Sequence, residues 1–311
     1  MVDDTTVSLI AQCPVHARRG GHPLVACHRR CLRLVYNNTP ISSKREPAIM
    51  IQRVLVTGSA GRIGRAAVAA IAARRHTVVG LDIRPSPGLP PAQMFVASLL
   101  EQDKLSAAIA GADCLVHLGA TPDDAVYPRP APPGDVDNFE DELVPNNIVG
   151  AYRMMEAARK AGVKEIVLAS SGQVIVGHRK AGNIPVRAEA SYAPRYLYAC
   201  TKAFLEQLGQ VYAAHHGMKV LAVRLGWCPR HPGQVAELTA NPDDQDVYLS
   251  PADAGRFFAC AVDAAVDRLP PFAPVYVTSR PLARERYDLG PARALVGYEP
   301  QDCWPTDAGA F

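Results

Sequence analysis

Apolar positions along the chain alternate between short β-type runs and helical repeats. Val54-Leu55-Val56 leads into Thr57-Gly58-Ser59-Ala60-Gly61-Arg62-Ile63-Gly64, after which Ile63, Ala66, Ala67, Ala70 and Ile71 recur at helical spacing. A strand, a glycine-rich turn and a one-faced helix are predicted there. Thr77-Val78-Val79-Gly80-Leu81-Asp82 reads as a second strand and Met94-Phe95-Val96 as a third, beyond a surface loop marked by Pro85, Pro87, Pro90 and Pro91. Gln102 to Ala110 predicts a helix closed by Gly111, and Cys114-Leu115-Val116-His117-Leu118 a short apolar strand. A helix from Pro145 to Ala161, a buried strand Glu165-Ile166-Val167-Leu168-Ala169 and a long helix from Tyr198 to His216 follow. This alternation places the chain in the α/β class, with a doubly wound parallel sheet covered on both faces and right-handed crossovers.

The pattern breaks in three places. Residues 1–49 carry paired arginines, glycines and short apolar pieces without a sustained period, and are expected to form a mobile extension. Met50 stands where a protein of this fold would ordinarily start. Between Thr121 and Glu142, prolines 122, 128, 130, 132 and 133 share the segment with seven acids. A loop just past a strand's carboxyl end can be a lid, or only a solvated spacer. Near the end, Ser250-Pro251 predicts an N-cap and first helical residue, with Phe257, Phe258 and Cys260 packing inward. The expected organisation is an extension (1–49), the main doubly wound domain (50–225) and a small region interleaved with it (226–311).

Composition narrows this further. A chain of 311 residues that is 48% hydrophobic can bury a large core. The net charge is +3, but residues 1–49 hold seven Lys/Arg against three Asp/Glu, so the remainder is close to neutral. That excludes an electrostatic case for nucleic acid or membrane partners. No run approaches the ~18 apolar residues of a membrane span. The eight cysteines read as reduced, partly buried thiols of a cytoplasmic protein. Cys13-x-x-His16 and Cys27-His28-x-x-Cys31 could supply zinc ligands, but the His22 and Cys27 spacings match no common structural zinc pattern, so no metal is expected.

The chemistry is concentrated at strand ends. Glycines 58, 61 and 64 free backbone N–H groups at a helix N-terminus, where a pyrophosphate can sit on the main chain. Asp82, ending the second strand, can accept from a ribose 2′-OH and repels a 2′-phosphate, which favours NAD over NADP; Arg84 nearby pulls the other way. Ser170 and Ser171 end the buried strand, and Tyr198-Ala199-Cys200-Thr201-Lys202 opens the long helix. Tyrosine and lysine four apart share one helix face. An ammonium about 4 Å from a phenol contributes up to roughly 4 kcal/mol, which brings a group of ordinary pKa near 10 toward service as a base at neutrality. Ser171 would hold the alcohol that Tyr198 deprotonates. Tyr-x-x-x-Lys is also a common surface pair, so the ordered set carries the reading, not the pair alone. His117 reads as a packing residue.

These residues resemble the extended short-chain dehydrogenase/reductases, the NAD-dependent epimerase/dehydratase family. The likeness runs from Met50 to Pro300 through the glycine turn, Asp113-x-x-Val116-His117-Leu118-Gly119-Ala120, Asn147-Ile148-Val149-Gly150, Ser170-Ser171, Tyr198-x-x-x-Lys202 with Glu206, and Arg293 to Pro300. It implies a Rossmann-type fold and bound NAD. It further implies Ser171, Tyr198 and Lys202 as the catalytic group, and a cofactor lining of Gly58, Gly61, Arg62, Ile63, Gly64, Asp82, Ser98, Leu99, Leu118, Gly119, Ala120, Tyr198 and Lys202. Ala97-Ser98-Leu99 departs from the family's usual Gly-Asp-Leu, leaving a hydroxyl where a carboxylate faces adenine. Within the family the chain is most similar to uronate dehydrogenases, and fewer than 90 residues after Leu225 suit a small sugar or sugar acid better than a nucleotide-sugar. Ser171, Gln173 and Arg230 are the substrate candidates. Trp227 stands where those enzymes carry a substrate-binding serine, and their carboxylate-binding arginine falls on Ala236. Family habit also implies a homodimer through long-helix packing. Two other functions stay open: an epimerase or dehydratase that returns the hydride to its substrate, and a non-catalytic NAD-binding regulator.

Overall fold

The structure, a computed structural model, describes residues 52–122 and 138–309. The expectations for residues 1–49 and for most of the 121–142 loop therefore lie outside the described residues. Strand β1 (Arg53–Thr57) passes through the turn into helix α1 (Arg62–Ala73), and β2 (Thr77–Asp82), β3 (Met94–Val96), α2 (Gln102–Ile109) and β4 (Cys114–His117) follow. A wide-wound helix, Phe139–Gly150, runs directly into α3 (Ala151–Ala161). Next come β5 (Glu165–Ser171), a short α4 (Val176–Lys180), α5 (Leu197–His216) and β6 (Lys219–Leu225). Helices α6 (Pro232–Ala240), α7 (Pro242–Gln245) and α8 (Pro251–Asp263), strand β7 (Phe272–Val277) and α9 (Gly290–Val296) complete the described chain.

All seven strands are parallel, in the order β3-β2-β1-β4-β5-β6-β7. Successive strand residues point to opposite faces. Val54 and Val56 accordingly join a core beneath α1 and α8, while Leu55 joins the core beneath α2, α3 and α5. Burial on both faces is why these strands read as unbroken apolar runs. Strand order reverses between β1 and β4, and that reversal opens a crevice at their carboxyl ends. β7 and α8 lie after residue 225 yet extend this sheet and pack against α1, where Gly255 lets the two helices touch: a Cβ there would stand 2.7 Å from the Ala66 carbonyl oxygen.

One boundary differs from the sequence pattern. The helix leading into α3 begins at Phe139, not at Pro145, and carries Pro145 inside it. Its i→i+5 winding accommodates a residue that has no N–H and would crowd the carbonyl one tight turn back. Glu140, Asp141 and Glu142 occupy its first turn, where the helix dipole favours negative charge. At α8 the expected cap is present: Ser250 Oγ accepts from Asp253 N at 2.9 Å, with Pro251 next. Phe257 and Phe258 are fully buried, whereas Cys260 reaches only part-way.

Candidate active site

The turn between β1 and α1 is shaped by backbone contact. Gly58 has φ +70°, and a Cβ there would lie 2.6 Å from Gly119 N; one on Gly64 would lie 2.0 Å from the Gly58 carbonyl oxygen. Glycine is thus required at both places by the close approach of main chain to main chain. Gly61 caps α1 with no side chain to accept the first N–H groups of the helix. Leu118, Gly119 and Ala120, leaving β4, form the opposite wall, and Thr57 Oγ1 ties the two by accepting from Gly119 N at 3.2 Å. Asp82 closes the rim: one carboxylate oxygen accepts from Ala60 N and the other from Arg84 N, each at 3.0 Å. Arg84 itself is exposed. A bare helix N-terminus, a cradle that Cβ atoms would fill and a rim carboxylate fit a dinucleotide diphosphate and ribose.

Three predicted lining residues are used differently from the rest. Leu99 is buried in the core, its side chain against Gly150. Ser98 Oγ accepts from Leu100 N at 3.2 Å and keeps its own O–H as a donor. Arg62 sends its guanidinium to backbone carbonyls of Pro229, Asp307 (2.6 Å) and Ala308 (3.4 Å).

Strand β5 ends on Ser171, whose Oγ accepts from Gln173 N at 3.2 Å and so caps a short turn. Gln173 Oε1 is buried without a hydrogen-bond partner among the described residues. A Cβ on Gly172 would meet the Tyr287 hydroxyl at 2.7 Å, so the phenol of Tyr287 seals one side of this turn. From α5, Lys202 Nζ donates to the Ala169 carbonyl at 2.8 Å, two residues before Ser171, and lies 5.6 Å from the centre of the Tyr198 ring. The strand end and the first turn of α5 therefore meet. Lys202 is buried, which pushes its ammonium down to about 8. Tyr198 is only partly buried.

Several residues that support this arrangement entered the sequence reading only as landmarks of the resemblance or as packing residues. Asn147 binds both backbone groups of Thr121 (2.8 and 2.9 Å) and donates to Thr201 Oγ1 at 3.2 Å, pinning the chain beyond β4 to α5. Thr201 in turn donates to the Tyr198 carbonyl. His117 lies 2.7 Å from Thr57 Oγ1 and is held at a pKa of about 3 by burial and by the charge of Lys202, hence neutral. Beneath them Glu206 and Arg224 form a fully buried two-pronged pair (3.0 and 2.9 Å), with Ser170, Tyr192 and Tyr276 completing the hydrogen bonds. A paired, fully hydrogen-bonded charge of this kind is tolerated in a core and fixes β5, α5 and β6 relative to each other.

The substrate candidates beyond β6 are spread out. Trp227 packs with Tyr248, Trp304 and Leu238, Arg230 is exposed with its N–H on Gln234 Oε1 (2.8 Å), and Ala236 lies exposed on α6. Among the described residues no group of three metal-ligating side chains occurs, and no helix is long and apolar enough to cross a membrane.

Residues 54–227 match the NAD dependent epimerase/dehydratase family. The NAD-dependent glucose-6-phosphate dehydrogenase of Haloferax volcanii is 30% identical over 81% of this chain and 94% of its own length. The L-arabinose 1-dehydrogenase (NAD(P)(+)) of the same organism is 30% identical over 80% of this chain and 96% of its own. A solved mutated uronate dehydrogenase superposes with a TM-score of 0.63 at 27% identity, covering 83% of this chain and 84% of that one. With the glycine cradle, the rim carboxylate and the switch-point crevice, these likenesses make the chain an NAD-dependent oxidoreductase belonging to the NAD-dependent epimerase/dehydratase family.

Proposed function

We propose that the protein is a dehydrogenase that oxidises a hydroxyl, at C1, of a free sugar or sugar acid and releases NADH. The observation that supports it best is the meeting of β5 and α5 at the crevice, with Lys202 on the Ala169 carbonyl, Ser171 just beyond and Tyr198 one helical turn away. The names of relatives that act on glucose 6-phosphate, arabinose and uronate support the substrate class.

In this reading the backbone of Gly58, Gly61, Arg62, Ile63 and Gly64 holds the diphosphate, Asp82 the adenosine ribose, Ser98 and Leu99 the adenine edge, and Leu118, Gly119 and Ala120 the far wall. Bound NAD supplies the hydride acceptor. Ser171 donates to the reacting oxygen, Tyr198 takes its proton, and the Lys202 ammonium stabilises the phenolate. Gln173 Oε1, buried and without a partner, accepts from a neighbouring substrate hydroxyl. Arg230, exposed on the loop after β6, meets the substrate's anionic or polar end.

Turnover of free hexoses, pentoses, hexuronates and sugar phosphates with NAD is expected to accumulate NADH in large excess over enzyme for at least one of them. Accumulation limited to one equivalent per enzyme would instead indicate an epimerase that returns the hydride. Asp82→Ser is expected to weaken NAD preference over NADP by about tenfold or more, because the charge that repels a 2′-phosphate is removed. Paired KM measurements with the two cofactors check this, and an unchanged ratio would reassign Asp82 to shaping the turn alone.

A further inference from the structure

One side chain of the dinucleotide turn finds its partners far along the chain. Arg62, the first residue of α1, reaches across 167 residues of sequence to Pro229 and across 245 to Asp307. Pro229 belongs to the loop that leaves β6, and Asp307 and Ala308 belong to the segment that follows α9. Both segments border the same aromatic cluster: Trp227 pairs backbone to backbone with Val247 and Leu249, Trp304 meets Tyr248 edge-on at 5.2 Å, and the Tyr248 hydroxyl donates to the Thr306 carbonyl. The guanidinium charge is also felt by Cys228 and Tyr248, where it opposes the rise that burial imposes on both.

We infer that Arg62 is a positioning residue that latches the wall of the substrate cleft, residues 226–231 and 303–309, onto the cofactor turn. Substrate binding then depends on a residue that lies in the cofactor site. This rests on the proposed function only in placing substrate beside the loop after β6. A planar guanidinium with five donors can hold three carbonyls from two segments at once; a lysine ammonium lacks that fork. The segment after α9 contains no strand or helix among the described residues, so such side-chain ties and the Trp304 packing hold it. Coupling is reciprocal: whatever orders the turn orders the wall, and the reverse.

The test is Arg62→Met beside Arg62→Lys. Amide hydrogen exchange in the full chain is expected to speed up by about tenfold or more at 226–231 and 303–309 in Arg62→Met, with β1, β4 and β5 unaffected. On the sugar that the wild type turns over, KM is expected to rise by about tenfold beyond any loss of kcat or of NAD affinity measured by titration. Arg62→Lys, which keeps the charge but not the fork, is expected to recover less than half of the effect. Lost NAD affinity with unchanged exchange and KM would overturn the latch and make the side chain a cofactor contact; unchanged behaviour in all three measurements would overturn it as well. Should no sugar be oxidised by the wild type, the exchange arm still decides the latch, while the proposed reaction alone fails.

Discussion

Tyr198→Phe is expected to lower kcat by roughly a thousandfold while NAD affinity stays within about threefold, since removing a general base typically costs 10²–10⁴. The phenyl ring keeps its packing and its place beside Lys202, so only the oxygen that takes the proton is lost. Lys202→Met is expected to act on the same step and on stability in opposite directions. Its buried ammonium has a folded pKa near 8, below the 10.5 of a free lysine. A depressed lysine makes stability rise with pH between those two values, so at neutral pH the protein carries a charge that its core disfavours. Replacing it removes a penalty of up to about 3 kcal/mol, offset in part by the orphaned Ala169 carbonyl. Steady-state kinetics with thermal unfolding at pH 7 reads both: near-zero turnover in a protein at least as stable as the wild type. A Lys202→Met variant that turns over normally would dismiss the phenolate argument.

The second large effect is a pH dependence at the opposite end of the sheet. Glu165 opens β5 beside Cys114 on β4, the residue is 1% exposed, and neither carboxyl oxygen has a hydrogen-bond partner among the described residues. Burial raises its pKa from 4.5 to about 8, and Gln52 and Cys114 beside it pull back only in part. The group is therefore a neutral acid at pH 7, able to donate to Gln52 Oε1, which is itself buried without a partner among the described residues. A folded pKa above the unfolded one stabilises fully below pH 4.5, progressively less as pH rises, and no longer above about 8. The full swing amounts to roughly 5 kcal/mol. Glu165→Gln keeps the shape and the donor but cannot ionise. Urea unfolding at pH 5 and pH 9 is expected to find it close to the wild type at the lower pH and more stable by a few kcal/mol at the higher. Parallel curves for the two proteins would show that Glu165 ionises without cost.

These two sites differ in how far they could be read from the chain. The glycine turn, Asp82, Ser171 and the Tyr198/Lys202 pair were legible because each is a local pattern: a turn that only glycine allows, a strand-end residue, a pair one helical turn apart. The strand runs were legible because a strand buried on both faces has no polar alternation to blur it. The start of the helix ahead of α3 was misplaced because Pro145 is an ordinary stop signal, and only wide winding within a packed layer lets it stay inside. Glu165 gave no sign of being a neutral acid, since burial is a property of the assembled sheet.

The amino-acid sequence alone determined the parallel α/β alternation and the glycine turn, and it singled out Tyr198, Lys202 and Ser171 as candidates, because all of these follow from spacing along one or two neighbouring elements. Tertiary structure decided the rest. It joined Arg62 to carbonyls 167 and 245 residues away, paired Glu206 with Arg224 from different elements, pinned Thr121 through Asn147, and set the ionisation of Lys202, His117 and Glu165. Long-range partners and desolvation exist only once the layers close, so no local pattern could have announced them.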